Sequence, residues 1–217
     1  VSVKILIADD HQLMREGFRA LLEKDADFEV VGEAETGREA VLFVQRRKPD
    51  LVIMDIAMPD LNGIDAARQI AAAEPSVKLL AVSMHSDPRM VLNMLKAGAS
   101  GFLLKACAFE ELVRAIRSVS AGQVHLCPRV AGIVVQNFVR SFPGPGGEEA
   151  ATCLLTPRER EIVQLFAEGW SNERIGDHLC VSAKTISTHR RNILDKLGLE
   201  SIAELTKYAI REGLTSL

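Results

Sequence analysis

Leu51-Val52-Ile53-Met54-Asp55 is a run of four apolar residues that ends on a carboxylate. A strand with one face in water alternates apolar and polar residues, whereas an unbroken apolar run fits a parallel sheet covered on both faces by helices. In such sheets the chemistry collects at the carboxyl ends of the strands, where the connecting loops converge. The run therefore predicts a buried strand with Asp55 at its functional end.

The same rhythm extends in both directions. Short apolar runs over residues 3–8, 29–32, 51–54, 79–83 and 101–104 alternate with segments of helical period over 12–23, 38–45, 63–73, 89–97 and 110–121. On the first helix, Leu13, Phe18, Leu21 and Leu22 are read as one face. Alternation of this kind predicts a doubly wound α/β domain with a five-stranded parallel sheet over residues 1–122. An extra helix over 129–139 precedes Ser141-Phe142-Pro143-Gly144-Pro145-Gly146-Gly147-Glu148-Glu149, which holds neither helix nor strand. We assign residues 123–152 as a linker and 153–217 as a second domain. There Thr156-Pro157-x-Glu159 supplies an N-cap, a first-turn proline and an acidic first turn, opening four short helices.

The chain has 217 residues, 47% of them apolar, with 26 basic and 29 acidic side chains and a net charge of −3. That balance excludes a polybasic protein that coats nucleic acid without specificity. The excess negative charge lies before Thr152; from Thr152 onward nine basic residues face nine acidic ones. Cys107, Cys127, Cys153 and Cys180 are dispersed, with no Cys-x-x-Cys pair, which fits a reduced cytosolic protein. Charges interrupt every long apolar run, so no membrane span or secretory leader is expected.

Asp9 and Asp10 end the first predicted strand and Asp55 the third. Adjacent strands would bring three carboxylates into one pocket, and crowded carboxylates need a hard cation; Mg²⁺ suits because it takes oxygen ligands and keeps several waters. Ser83 ends the fourth strand and Lys105 the fifth, adding a hydroxyl and an ammonium suited to phosphoryl oxygens. Phosphoryl transfer asks little beyond an aligned nucleophile and charge stabilisation, so Asp55 is the candidate acceptor.

Ile7-Ala8-Asp9-Asp10-His11, Asp55-Ile56-Ala57-Met58-Pro59, Asn62-Gly63 and Leu104-Lys105 resemble the receiver domains of two-component systems, over roughly the first 120 residues. The resemblance implies a flavodoxin-like fold, with Mg²⁺ held by Asp10, Asp55 and the main-chain carbonyl of Ala57, and by Asp9 through water. It implies a histidine kinase as phosphoryl donor to Asp55, and Ser83 with Phe102 as the residues that move on phosphorylation. Phe102 lacks the hydroxyl of the more usual tyrosine, and Ala106 stands where many receivers have proline. His85 and Ala57 are identified, by the same resemblance, with positions bordering the phosphoryl group.

Downstream, Ser182 is read as the cap of a helix to about Lys196, with Ile186, Ile193 and Leu197 as its core stripe. Lys184, Arg190, Arg191 and Lys196 against Asp195 give this helix a charge of +3. Leu155-Thr156-x-x-Glu159, Gly169-x-Ser171-Asn172 and Ser182-x-x-Thr185-Ile186-x-x-His189 resemble the LuxR-type helix-turn-helix of the NarL/FixJ response regulators. By that resemblance Ser187, Thr188 and Arg191 face bases of double-stranded DNA, and Lys184, Thr185 and Arg190 lie nearer phosphates. Ser187 is a departure, since lysine is frequent there. The last helix, from about Ile202 to Arg211, carries Leu205, Ala209 and Ile210; the family pairs two DNA-binding domains there, and core packing is the equal alternative.

These readings point to a cytoplasmic response regulator, an acceptor with at most slow autodephosphorylation, whose phosphorylation controls homodimerisation and DNA binding. A phosphatase of the haloacid dehalogenase type would need a second acid two residues after Asp55, where Ala57 stands. A phosphorylation-dependent protein adaptor is the third reading, distinguished by whether the second domain binds DNA.

Overall fold

The computed structural model describes residues 2–84, 86–106, 108–141 and 155–215. The chain forms two compact units, Val1–Pro143 and Gly144–Leu217. His85 and the Pro/Gly run from Phe142 onward, with the readings placed on them, lie outside the described residues.

In the first unit, strands β1 (Val3–Ala8), β2 (Phe28–Ala34), β3 (Leu51–Asp55), β4 (Lys78–Ser83), β5 (Gly101–Leu104) and β6 (His125–Leu126) form one sheet in the order β2-β1-β3-β4-β5-β6. All neighbouring pairs are parallel. Helices α1 (Gln12–Leu22), α2 (Gly37–Arg47), α3 (Gly63–Ala73), α4 (Pro88–Lys96) and α5 (Ala108–Ser120) make the crossovers, and α6 (Pro128–Ser141) follows β6. Every residue of β3 is buried, as its unbroken apolar run requires.

The strand order fixes where a site can form. The chain leaves β1 for the edge at β2, then returns to β3 on the other side, so the connections diverge at the carboxyl ends of β1 and β3 and open a crevice there. Register completes the placement: Ala8 pairs with Met54, so Asp9 and Asp55 follow side by side. Asp55 pairs with Val82, and Ser83 with Leu104, bringing Ser83 and Lys105 to the same rim.

Two details depart from the sequence reading. The two-residue strand β6 adds a sixth member to the sheet, pairing Gly101 with His125 and Phe102 with Leu126. So short a strand carries no periodicity to read; it is held by amides of His125 and Cys127 that donate to the carbonyls of Ser100 and Phe102. On α1 the buried stripe is Arg15, Phe18 and Leu22, spaced i, i+3, i+7, while Leu13 is 80% exposed. An apolar side chain thus faces water and a charged one the interior, because Arg15 has partners inside.

The loop after Asp55 is locked to its strand by Asn62 and Gly63. Asn62 is fully buried and caps α3 by accepting from the Asp65 amide. The Gly63 amide donates to the Ile56 carbonyl at 2.9 Å. A Cβ on Gly63 would come within 1.9 Å of the Asp55 carbonyl oxygen, a backbone atom that cannot yield without moving Asp55.

In the second unit, α7 (Pro157–Ala167), α8 (Asn172–His178), α9 (Ala183–Leu197) and α10 (Ile202–Arg211) enclose a core of Ile162, Leu165, Ile175, Ile186, Ile193, Leu205 and their neighbours. Four hydroxyl caps, Thr156, Ser171, Ser182 and Ser201, each accept from the amide three residues on. Glu159 closes the first as a capping box, and its other oxygen receives Lys196 Nζ from the end of α9. Burial pushes the Glu159 carboxyl up, but Lys196 and the Thr156 amide and hydroxyl outweigh it and hold it below the ordinary carboxylate range. Gly176 lets α8 approach the turn, since a Cβ there would meet the Val181 carbonyl at 2.7 Å.

Gly63→Ala is expected to cost about 3 kcal/mol of stability, the scale of forced overpacking against fixed atoms. Urea denaturation of the two proteins would measure it.

Candidate functional site

At the carboxyl edge of the sheet, Asp9, Asp55, Ser83 and Lys105 are all buried, while Asp10 and His11 are exposed at the mouth. Lys105 Nζ lies 2.8 Å from Asp55 Oδ2 and 2.7 Å from Asp9 Oδ2. The first contact is a well-formed hydrogen bond; the second is a close ion pair of poorer angle, and among the described residues Asp9 Oδ2 has no donor besides this ammonium. The Lys105 amide donates to the Ser83 carbonyl at 2.8 Å, tying the two strand ends together. Asp55 Oδ1 accepts from the Ile56 amide at 2.7 Å, and Asp9 Oδ1 from the His11 amide at 2.9 Å.

The electrostatics are unbalanced. Asp9, Asp10, His11 and Asp55 offer ligand atoms that all lie within 4.8 Å of one another. Burial pushes the Asp55 carboxyl up, Lys105 opposes this and Asp9 adds to it, leaving it at about 6. Burial lowers Lys105, yet the two carboxylates together raise it above its ordinary value. The two directions agree physically: one ammonium gains from two buried carboxylates but cannot neutralise both, so negative charge remains. The incompletely compensated Asp9 carboxylate and this residual charge suit a divalent cation with oxygen ligands, and Mg²⁺ fits the donor set.

Phe102 is fully buried on β5, beside Ala81 of β4, and Ala57 is half-buried in the loop after Asp55. Among the described residues no peptide bond is cis, and Lys105 reaches Asp55 with alanine rather than proline following it.

Arg15 escaped the sequence reading. It is buried, and Nη1 donates to the Asp9 carbonyl at 2.8 Å, Nε to Glu33 at 3.1 Å and Nη2 to Glu35 at 2.6 Å. Glu33 is also held by Arg19; burial raises its pKa, but the two guanidiniums prevail and lower it. A planar fork can serve three acceptors at once, and here it ties the end of β2 to the turn that carries Asp9. The available signal was the break in the apolar stripe of α1, three residues before Phe18.

On α9, Lys184, Thr185, Ser187, Thr188 and Arg191 are exposed and Arg190 is half-buried. Ser187, Thr188, Arg190, Arg191 and Leu194 line a shallow depression. Lys184, Arg190 and Arg191 have no ion-pair partner among the described residues, whereas Lys196 is bound to Glu159. Lys196 therefore belongs to the framework, and the free cationic charge on the helix is +3 from those three residues, with Asp195 beyond them near the C-terminus.

Residues 5–117 match the family described as the response regulator receiver domain, and residues 154–209 that described as bacterial regulatory proteins, luxR family. The chain belongs to the NarL/FixJ-type two-component response regulators. It is 35% identical to the transcriptional regulatory protein DegU of Brevibacillus brevis, over 98% of this chain and 94% of that one. It is 36% identical to the oxygen regulatory protein NreC of Staphylococcus carnosus, over 98% and 99%. Among solved structures it is similar to RcsB of Salmonella enterica serovar Typhimurium bound to promoter DNA with the phosphomimetic BeF3-, at 26% identity, a TM-score of 0.62, and 99% and 100% coverage.

As a response regulator it pairs a receiver carrying an acidic cluster with a DNA-binding helix-turn-helix domain. One expectation needs correction. Leu205 and Ala209 are completely buried in the core of the second unit, packing α10 on α7 and its neighbours, so neither is available to a second copy of the chain. The periodicity of α10 was sound, but its apolar stripe serves the domain's own interior.

Two outcomes follow from the pocket. A carboxyl raised from 3.8 to about 6 binds more protons when folded than when unfolded. Stability therefore falls as pH rises through that interval, by about 3 kcal/mol in full above it. Without divalent ions, Asp55→Asn should be more stable than the native chain by about 1–3 kcal/mol at pH 8, after discounting the lost Lys105 contact, and the gap should close near pH 4. Denaturant titrations at the two pH values would show it. Arg15→Met, which keeps the stem and removes the fork, should weaken Mg²⁺ binding about tenfold by freeing the Asp9 turn, as calorimetry would record.

Proposed function

We propose that Asp55 accepts a phosphoryl group from a histidine kinase in the cytoplasm, and that phospho-Asp55 controls homodimerisation and sequence-specific binding of double-stranded DNA. The observation that carries this reading is the convergence of Asp55, Asp9, Lys105 and Ser83 at adjoining strand ends, with Asp55 oriented by Lys105 and the Ile56 amide.

An Asp55 carboxylate oxygen forms a bond to phosphorus as the donor's P–N bond breaks. Asp10, Asp55 and the Ala57 carbonyl would hold Mg²⁺, with Asp9 acting through water. When bound, Mg²⁺ would neutralise the carboxylates and attract the incoming phosphoryl oxygens. Lys105 and Ser83 take the roles of cation and hydroxyl donor to those oxygens, and movement of Ser83 with Phe102 would alter the face between β4 and α5. With Ala57 two residues after Asp55, the pocket offers no second acid there to speed hydrolysis, which suits a lasting switch.

For DNA, α9 would enter the major groove, with Ser187, Thr188 and Arg191 at base edges and Lys184, Thr185 and Arg190 at phosphates. The three cations of this helix that have no ion-pair partner among the described residues, and the DNA-bound RcsB relatives, support this assignment.

With Mg²⁺ and acetyl phosphate the native chain should gain an acid-labile phosphoryl group and Asp55→Asn should not, as phosphate-affinity electrophoresis would show. In selection from random duplexes, the phosphorylated native chain should enrich one sequence, and Arg191→Ala should lose at least about 1–3 kcal/mol of discrimination. Absence of the label, or of any enriched duplex, would overturn the corresponding half of the reading.

A further inference from the structure

We infer that Arg38 is a positioning residue for the phosphoryl chemistry at Asp55: from α2 its guanidinium holds Asp60, at the tip of the loop after the acceptor, and so sets how fast the phosphoryl group is gained and lost. This rests on the reading of Asp55 as phosphoacceptor and adds a control of its rates.

The loop of residues 56–62 starts at the acceptor itself. Its first residue is held on both sides, since the Ile56 amide donates to Asp55 Oδ1 at 2.7 Å and the Ile56 carbonyl accepts from the Gly63 amide at 2.9 Å. Farther along the chain turns sharply: the Leu61 amide donates to the Pro59 carbonyl at 2.8 Å, with Asp60 between them at φ +67°. The positive φ and the bond from one residue to the second before it are those of the strained γ-turn, and aspartate bears a cost there that glycine would not. A strained turn of this kind persists only where its surroundings hold it.

The holding groups come from the start of α2. Arg38 Nε and Nη2 donate to the two carboxylate oxygens of Asp60 at 2.9 and 3.2 Å, a planar fork that fixes direction as well as distance. The neighbouring Gly37 amide donates to the Leu61 carbonyl at 3.0 Å. The Asp60 side chain is 15% exposed and that of Arg38 37%, so solvent screens the pair and its contribution to folding stability is small. Its effect is geometric. With Leu61 and Asn62 buried and Gly63 tied to Ile56, a shift of the tip has to be taken up by residues 56–58, beginning with the amide that orients Asp55.

Gain and loss share one geometry. Acetate leaves phosphorus as an Asp55 oxygen bonds to it, and later the Asp55 carboxylate leaves as water attacks, so a loosened acceptor slows both steps. The test follows labelling of the full chain by acetyl phosphate with Mg²⁺, then first-order loss of the label once the donor is removed. Arg38→Met should slow both about tenfold, and Arg38→Lys by less. Asp60→Gly, which removes the carboxylate while relieving the turn, should match Arg38→Met, and the double variant should be no slower than either. Loss of label is read only from labelled molecules, so a change in stability alone leaves it unmoved. Unchanged rate constants in Arg38→Met, or an Asp60→Gly chain as fast as the native one, would overturn the inference and leave the pair as a surface contact. A native chain that takes no label would overturn it together with the reading of Asp55 as acceptor, a result distinct from the other two.

Discussion

Lys105 holds the pocket together. Among the described residues its ammonium is the one cation buried between Asp9 and Asp55, and its main-chain amide joins the end of β5 to β4. Two buried carboxylates on neighbouring strands would repel strongly without it; with it, they tolerate burial but are not fully compensated. The fold bears that imbalance because the strands beneath are continuous apolar core, from Ile5 to Ala8 and Leu51 to Met54, whose burial outweighs local strain at their ends. Stability comes from below the rim, and the rim keeps an unmet demand for positive charge.

That demand explains why the site is assembled by so many separate parts. Gly63 permits the loop after Asp55 to fold back on its own strand, Asn62 pins the start of α3, and Arg15 clamps the turn behind Asp9. Each acts on a different connection, and together they hold charged groups that would otherwise spread apart. Preorganisation of this kind is what charge-stabilised chemistry requires, since the groups need not reorganise when a phosphoryl group arrives.

Much of this was legible in the chain. The unbroken strand at Leu51 and the order Asp9-Asp10, Asp55, Ser83, Lys105 at strand ends led to the parallel sheet and the pocket, because period and strand-end position are local properties. What escaped was non-local or too short. β6 has two residues and no period. Arg15 reads as a surface residue of α1 until Glu33 and Glu35 are brought beside it by the β1–β2 pairing. Leu205 and Ala209 show the converse: the stripe on α10 was visible, but a sequence does not say whether a stripe packs inward or against a partner. Lys196, counted among cations available to DNA, is engaged by Glu159, thirty-seven positions away.

The Glu159–Lys196 contact has a wider bearing. One carboxylate both starts α7, through the capping box, and fastens the far end of α9. The helix proposed to read DNA is therefore anchored at the point where its own domain begins, and tilting it would uncap α7. A reading head fixed in this way gives up little conformational freedom when it docks, so mismatched sequences cannot be accommodated cheaply by adjusting its pitch. Discrimination then rests on how closely a duplex matches the side chains that this fixed helix presents.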